Sequence, residues 1–182
     1  MRELALHVLD ILQNAVEAGA RRVDLTIDED SKADRLTVAI EDDGRGMDAA
    51  TVARVTDPFY TSRTTRHVGL GLPLWAAAAQ RAGGEMTISS QPGVGTRVKA
   101  TFAISHPDRQ PLGDIQGTLM AFLLSGSEAD LHYLHTVDGA SFELDSAEVR
   151  GMLDGTPIAH PLVREWLMGY LQEGEASLRP QA

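Results

Sequence analysis

With 182 residues, 43% of them apolar and no cysteine, the chain can bury one good-sized core but can form neither a disulfide nor a thiolate metal site. A formal net charge of −10 repels phosphate backbones and argues against nucleic acid as a main partner. No run approaches the roughly 18 apolar residues of a membrane span, and the early Glu3 does not suit a secretory leader, so a cytoplasmic protein without membrane attachment is expected.

Residues 2–18 predict an amphipathic helix. Leu4, Ala5, Val8, Leu9, Ile11, Leu12, Ala15 and Val16 fall on one arc; His7, Asp10, Gln13, Asn14 and Glu17 fall on the other, with Leu6 the exception. Gly19 ends it. Residues 23–27 and 36–40 alternate as strands around a polar turn at 28–34. The glycine-containing turn "EDDGRGM" follows, and Asp48 is placed to cap a short helix reaching Val55. Residues 57–69, "DPFYTSRTTRHVG", show no periodicity and read as a long lid-type loop. A helix is predicted from 70 to 82, with Pro73 tolerated in its first turn and Gly83-Gly84 as its stop. Strands at 86–90 and 96–104 flank the turn "QPGVG". Hairpins and helices in this order predict an α+β fold, a two-layer α/β sandwich over residues 1–104.

Residues 105–113, with two prolines, read as a linker. Beyond them a small α+β C-terminal region, 114–182, is expected. It comprises a helix at 114–125, a hairpin of 131–137 with 141–144 around Asp138-Gly139, a short helix to Leu153 capped by Asp145 or Ser146, and a last helix at 162–171 carrying Trp166. His132 and His135, three apart on a strand, should face opposite sides, which argues against a metal pair or a relay. The apolar run "TLMAFLL" reads as core, with a homodimer or partner face as the alternative.

Four short patterns carry the chemistry: "DILQNA" on a helix, "DDGRGM" after a strand, "VGLGLPL" at the start of a helix, and "GVGT" between two strands. Each is common alone; their order and setting are not. Together they resemble the ATP-binding domain shared by histidine kinases, DNA gyrase B, the ninety-kilodalton heat-shock chaperones and MutL, the GHKL superfamily with its Bergerat fold. The resemblance covers about residues 1–104. "DPFYTSR…VGLGLPL" and "GGEMTISSQPGVGTRVKATF" are similar to histidine-kinase catalytic domains, whereas "NAVEAGA" is similar to MutL.

The resemblance implies ATP and Mg²⁺ as cofactors. It puts Asn14 on the metal, through its amide oxygen, which suits a hard cation that keeps several waters. It puts Asp42, rather than Asp43, on the adenine amino group, with Gly44 and Gly46 letting the backbone approach the base and Met47 beside them. Gly69, Leu70, Gly71 and Leu72 stand where helical N–H groups favour phosphate. Arg63 is a candidate to neutralise the γ-phosphate, with Arg66 a second. Thr96 resembles the family threonine near the adenine-contacting aspartate; a plain strand-turn threonine is the other reading. Asp10, one turn before Asn14, stands where the hydrolysing branches carry a glutamate. It reads either as a general base, with one methylene less reach, or as a polar residue supporting the metal's waters. His7 reads as a surface histidine, or as a partner for Asp10.

The sequence departs from kinases at His67-Val68, before the glycine-rich motif, and shows no phosphoacceptor helix pair, so a complete sensor kinase on this chain alone is not expected. Three functions stay open: an Mg-ATP-binding regulatory protein that switches a protein partner, a protein kinase acting on a partner's His or Ser, and a non-catalytic nucleotide-binding module. DNA repair of the MutL kind is disfavoured by the acidic charge. The layout of 105–182 resembles ATP-binding proteins that accompany iron-hydrogenase or NADH-oxidoreductase subunits in bacteria, which names no activity.

Overall fold

Alternating apolar residues turn six segments into strands, and the sheet they form has one wet and one dry face. In a computed structural model, which describes residues 3–55 and 71–179, the elements run α1 (Leu4–Glu17), β1 (Arg22–Asp30), β2 (Arg35–Asp42), α2 (Ala49–Val55), α3 (Gly71–Arg81), β3 (Met86–Gln91), β4 (Gly95–Ala103), α4 (Ile115–Leu123), β5 (Asp130–Val137), β6 (Ala140–Asp145), α5 (Ser146–Met152) and α6 (Pro161–Ser177). The six strands form one sheet in the order β3-β4-β2-β1-β5-β6. β1 and β5 pair in parallel; every other neighbour is antiparallel.

The register places Ile88, Val98, Ile40, Leu25, Tyr133 and Leu144 in one row across all six strands. With Val23, Ile27, Leu36, Val38, Phe102 and Leu131 they form the dry face, on which α1, α3 and α6 pack, with α4 against α1 and α6. The other face carries Asp24, Thr26, Glu41, Arg97, Lys99 and His132, as a single-sided sheet requires. This is the expected α+β, two-layer arrangement. The run "TLMAFLL" lies in the core, with Leu119, Met120, Phe122 and Leu123 all buried.

Elements differ from expectation where tertiary contacts extend them. β1 continues through Asp28–Asp30, expected as turn, because it sits between two strands and Asp28 pairs with both Thr37 and Thr136. α6 continues six residues past 171: Glu175 is buried under it and accepts hydrogen bonds from Tyr133 and His135, while Gly174 packs against the Phe142 ring. Segment 105–113 is tied into the fold. The first free N–H groups of α1 donate to it, Leu4 N to Pro111 O (3.0 Å) and Ala5 N to Leu112 O (2.8 Å). No described helix is long and apolar enough to cross a membrane.

Candidate functional site

α1 lays its apolar arc on the sheet, so its opposite side, with Asp10 and Asn14 one turn apart, forms the floor of a polar surface. Both side chains are half-buried, and neither has a hydrogen-bond partner among the described residues. α3 approaches α1 here. A Cβ on Gly71 would lie 3.3 Å from Asp10 Oδ2, so glycine lets the first described turn of α3 come against that carboxylate. Burial pushes the Asp10 pKa up, against the pull of His7 and the N-terminus. Leu72, the next residue, is partly buried against the core.

His7 is not at the surface, contrary to expectation. Only 2% of it is exposed; its Nε2 lies 3.2 Å from Gln110 Oε1, and its ring stacks on buried Trp75 with centroids 6.4 Å apart. Its helical neighbours at i−3 and i+4 are Leu4 and Ile11, so it borders the apolar arc, and α3 closes over it. Burial lowers its pKa, outweighing the Gln110 hydrogen bond and the Asp10 charge.

The turn after β2 folds back on the end of α1. Arg45 N donates to Ala18 O (2.9 Å), and Arg45 Nη1 to Glu17 O (2.8 Å). Gly44 is buried in that contact; a Cβ there would lie 2.8 Å from both Ala18 Cβ and Asp42 Oδ1. Gly46 takes φ +65°, and a Cβ on it would fall 2.0 Å from Gln91 O. Asp42 is half-buried, and its Oδ1 accepts from Gly44 N at 2.9 Å. Burial raises its pKa, while backbone hydrogen bonds from Gly44 and Thr96 pull it down. A carboxylate has about four lone-pair sites, so acceptor capacity is left over.

Asp43 is differently engaged. Its Oδ1 accepts from Arg21 N (2.7 Å) and Arg22 N (2.9 Å), and these backbone bonds hold its pKa below the usual range.

Thr96 lies directly across from Asp42 in the β2–β4 register. Ser90, which sequence reasoning missed, joins this end of the sheet together. Its Oγ accepts from Met47 N (2.8 Å), donates to Gly95 O (2.9 Å), and lies 2.9 Å from Thr96 Oγ1. The signal available was hairpin register: with the turn "QPGVG" in place, Ser90 and Thr96 are cross-strand partners. Arg63, Arg66, Gly69 and Leu70 lie outside the described residues.

The structure thus brings Asp10, Asn14 and Gly71 to one stretch of α1, and Asp42, Gly44, Gly46, Met47 and Thr96 to its C-terminal end. The donor set is made of hard oxygens and suits Mg²⁺ in kind, with an amide and a carboxylate, unpartnered among the described residues, to take up a cation or its waters. Among the described residues no group of three or more His, Asp or Glu is arranged to hold a metal ion, so the protein would supply few of a cation's ligands.

The family described as histidine kinase-, DNA gyrase B-, and HSP90-like ATPase matches residues 2–106, and the chain belongs to it. Sensor protein kinase FleS of Pseudomonas aeruginosa is 38% identical over 109 residues, covering 60% of this chain and 26% of FleS. Signal transduction histidine-protein kinase AtoS of Escherichia coli is 35% identical over 108 residues, covering 58% of this chain and 17% of AtoS. The match therefore spans about a quarter or less of these relatives' own length. Among solved structures, the Aquifex aeolicus MutL ATPase domain complexed with ADP superposes with a TM-score of 0.54 at 14% identity, covering 85% of this chain and 70% of that one. The N-terminal domain of a DNA repair protein superposes with a TM-score of 0.58 at 12% identity, covering 80% of this chain and 53% of that one. These likenesses show the fold, and their coverage reaches beyond the family match into the C-terminal region.

Proposed function

We propose that the chain binds Mg-ATP on the polar side of α1 and uses nucleotide occupancy, ended by slow hydrolysis, to switch a protein partner in the cytoplasm. The observation that carries this reading is the pairing, on one helix, of a free amide and carboxylate at Asn14 and Asp10 with the glycine-framed carboxylate of Asp42 at the helix end.

Asn14 offers its amide oxygen to Mg²⁺; the cation, when bound, neutralises phosphate charge that would otherwise meet Asp10. Asp42 accepts from the adenine amino group, and guanine, with a carbonyl there, would leave that acceptor facing another acceptor. Gly44 keeps the turn thin enough for the base, and Ser90 ties Met47 and Thr96 into its rim. Gly71 and Leu72 bring the start of α3 to the phosphates, with Gly69, Leu70, Arg63 and Arg66 assigned there on sequence grounds.

Asp10 is the general base. Hydrolysis breaks the bond between the γ-phosphorus and the β–γ bridging oxygen, ADP leaves, and the attacking water gives its proton to Asp10. A carboxylate with a raised pKa is the better acceptor for that proton. ATP-bound and empty forms differ in partner affinity only as far as ATP binds the two conformations differently.

Two other readings stay in play. The sensor-kinase relatives favour transfer of the γ-phosphoryl to a partner's His or Ser. A non-catalytic module would bind ATP and do neither. Incubation of the chain with Mg²⁺ and γ-labelled ATP, following free phosphate and protein-bound label, separates the three. The expected result is free phosphate that is lost in Asp42→Ala with ATP binding, and lost in Asp10→Asn with ATP binding kept. Turnover unchanged in Asp10→Asn would overturn the general-base role. Label on an added partner would establish the kinase reading, and ATP bound without either signal the module.

A further inference from the structure

We propose that the groove between α5 and α6 seats a basic, apolar segment of a partner protein, with a Lys or Arg side chain laid over Trp166 and its cation reaching Glu148. This supplies the chemistry of a partner surface, and it stands or falls independently of ATP.

α6 exposes Leu162, Trp166 and Tyr170 at i, i+4 and i+8, a single stripe of large apolar side chains 69%, 50% and 39% exposed. Met152, 76% exposed at the end of α5, faces the same groove as Trp166 and Tyr170. Among the described residues the other large exposed apolar side chains, Leu6, Leu74 and Val94, lie elsewhere in the chain. Scattered exposed leucines need no explanation, but a contiguous stripe beside a cleft does. The cleft has a volume of about 350 Å³.

Its aromatic wall is rigid. Trp166 and Tyr170 stack with centroids 5.5 Å apart and planes 19° apart, and Phe142 lies under Tyr170 at 5.2 Å. Tyr170 donates its hydroxyl to Glu143 O at 3.0 Å, which pins the ring and covers part of the β6 edge. A fixed aromatic face binds with little ordering cost.

The rim is acidic: Glu143, Asp145 and Glu148 line the cleft. Asp145 is occupied, capping α5 through Ala147 N (2.8 Å) and meeting Arg22 at 3.3 Å. Glu143 meets His132 at 2.7 Å. Glu148 is exposed and has no partner among the described residues. An indole face beside a free carboxylate is a receptor for an ammonium or guanidinium group. A second copy of this chain, at net charge −10, would bring the same carboxylates together, and an anionic lipid surface would be repelled by them.

The test is selection of random dodecapeptides displayed on phage against the full chain, with Trp166→Ala and Glu148→Lys as counter-targets and with Mg-ATP present or absent. Trp166 is half-exposed and Glu148 exposed, so both variants should fold and melt cooperatively, at a temperature slightly below the parent's for the lost Tyr170 stacking and the lost helix-terminus charge. Selected peptides should carry Lys or Arg beside apolar residues, bind about tenfold more weakly to each variant, and weaken with salt. They should also shift the emission of Trp166, since the other tryptophan, Trp75, is buried. No enrichment, acidic or uncharged winners, or equal binding to Trp166→Ala would overturn the proposal. So would a concentration-dependent dimer, or binding to phosphatidylglycerol vesicles, that Trp166→Ala abolishes. Loss of ATP binding in Asp42→Ala leaves these outcomes unchanged, so failure here is distinguishable from failure of the nucleotide reading.

Discussion

At the end of β2, Asp42 and Asp43 present the same carboxylate to different surroundings. Asp43 spends its Oδ1 on two backbone donors, Arg21 N and Arg22 N, which fix the entry to β1. Replacing it with alanine returns those exposed N–H groups to water, so the loss should be modest, about 0.5–1.5 kcal/mol. ATP affinity should be unchanged. Thermal melting with a calorimetric ATP titration checks both, and lost affinity in Asp43→Ala would mean that the adenine contact has been assigned to the wrong aspartate. Gly46 makes a harsher case. Its φ of +65° disfavours any side chain, and a Cβ would meet the Gln91 carbonyl at 2.0 Å. Gly46→Ala must move the β3–β4 turn or reshape its own loop, so a destabilisation of about 2 kcal/mol or more is expected, read as a lower melting temperature. A variant that melts with the parent would show the turn to be freely adjustable.

One buried histidine holds three elements together. His135 on β5 is fully buried, with Nδ1 2.9 Å from Glu175 Oε2 of α6 and Nε2 3.1 Å from Glu29 Oε1 of β1. Both ring nitrogens face carboxylates, so the protonated ring donates to both. Tyr133 donates to Glu175 Oε1 at 2.7 Å, and Arg179 pairs with Glu29. Burial works against the charged ring, but the hydrogen bonds from Glu175 and Glu29 prevail and raise its pKa. Glu29 is lowered, first by the His135 hydrogen bond and then, against burial, by Arg179. A raised histidine contributes stability that is complete below its unfolded value of about 6.5 and is lost as pH rises through the folded value. A lowered glutamate contributes stability present above about 4.3 and lost as pH falls through its folded value. The contribution of this network to the melting temperature should therefore be fullest between roughly pH 5 and 6.5 and decline as pH rises further. His135→Gln should cost about 3 kcal/mol at pH 6 and flatten the alkaline decline; an alkaline limb that persists in the variant would place its origin elsewhere. Opposite faces for His132 and His135 were legible from strand periodicity alone. The partners were not, because Glu29 and Glu175 lie 106 and 40 residues from His135 and meet it only through sheet order and the docking of α6. That Asn14 lies on a helix and that Asp42 and Gly44 lie at the end of a strand and in the turn after it was legible, because short local patterns specify those elements. Ser90 and the burial of His7 were hidden, since hairpin register and the packing of Trp75 decide them.

At the scale of the whole molecule, the family match ends at residue 106, but the sheet does not. β5 pairs with β1 in parallel from Arg22↔Asp130 to Glu29↔Val137, so β1 is an interior strand only because the C-terminal region is present. A break in composition at 105–113 suggests a linker to a reader of the sequence, since no local pattern announces that a strand 100 residues later will lie beside the first one. Without residues 107–182, β1 would become an edge, and Val23, Leu25 and Ile27, none of them exposed in the intact chain, would lose the cover of Leu131 and Tyr133. α1 would lose α4, and with it Leu119 and Phe122. Each large apolar side chain uncovered removes about 1.5–3 kcal/mol, and a domain of this size has only about 5–15 kcal/mol to lose. The bare β1 edge would also invite pairing between molecules. We therefore expect a chain ending at residue 106 to be insoluble or to lack a cooperative melting transition, and to bind no ATP, whereas the intact chain melts in a single transition. A soluble fragment with a sharp melt and parent-like ATP affinity would instead make the C-terminal region a separable partner-binding attachment, with the nucleotide site owing nothing to β5 or α4.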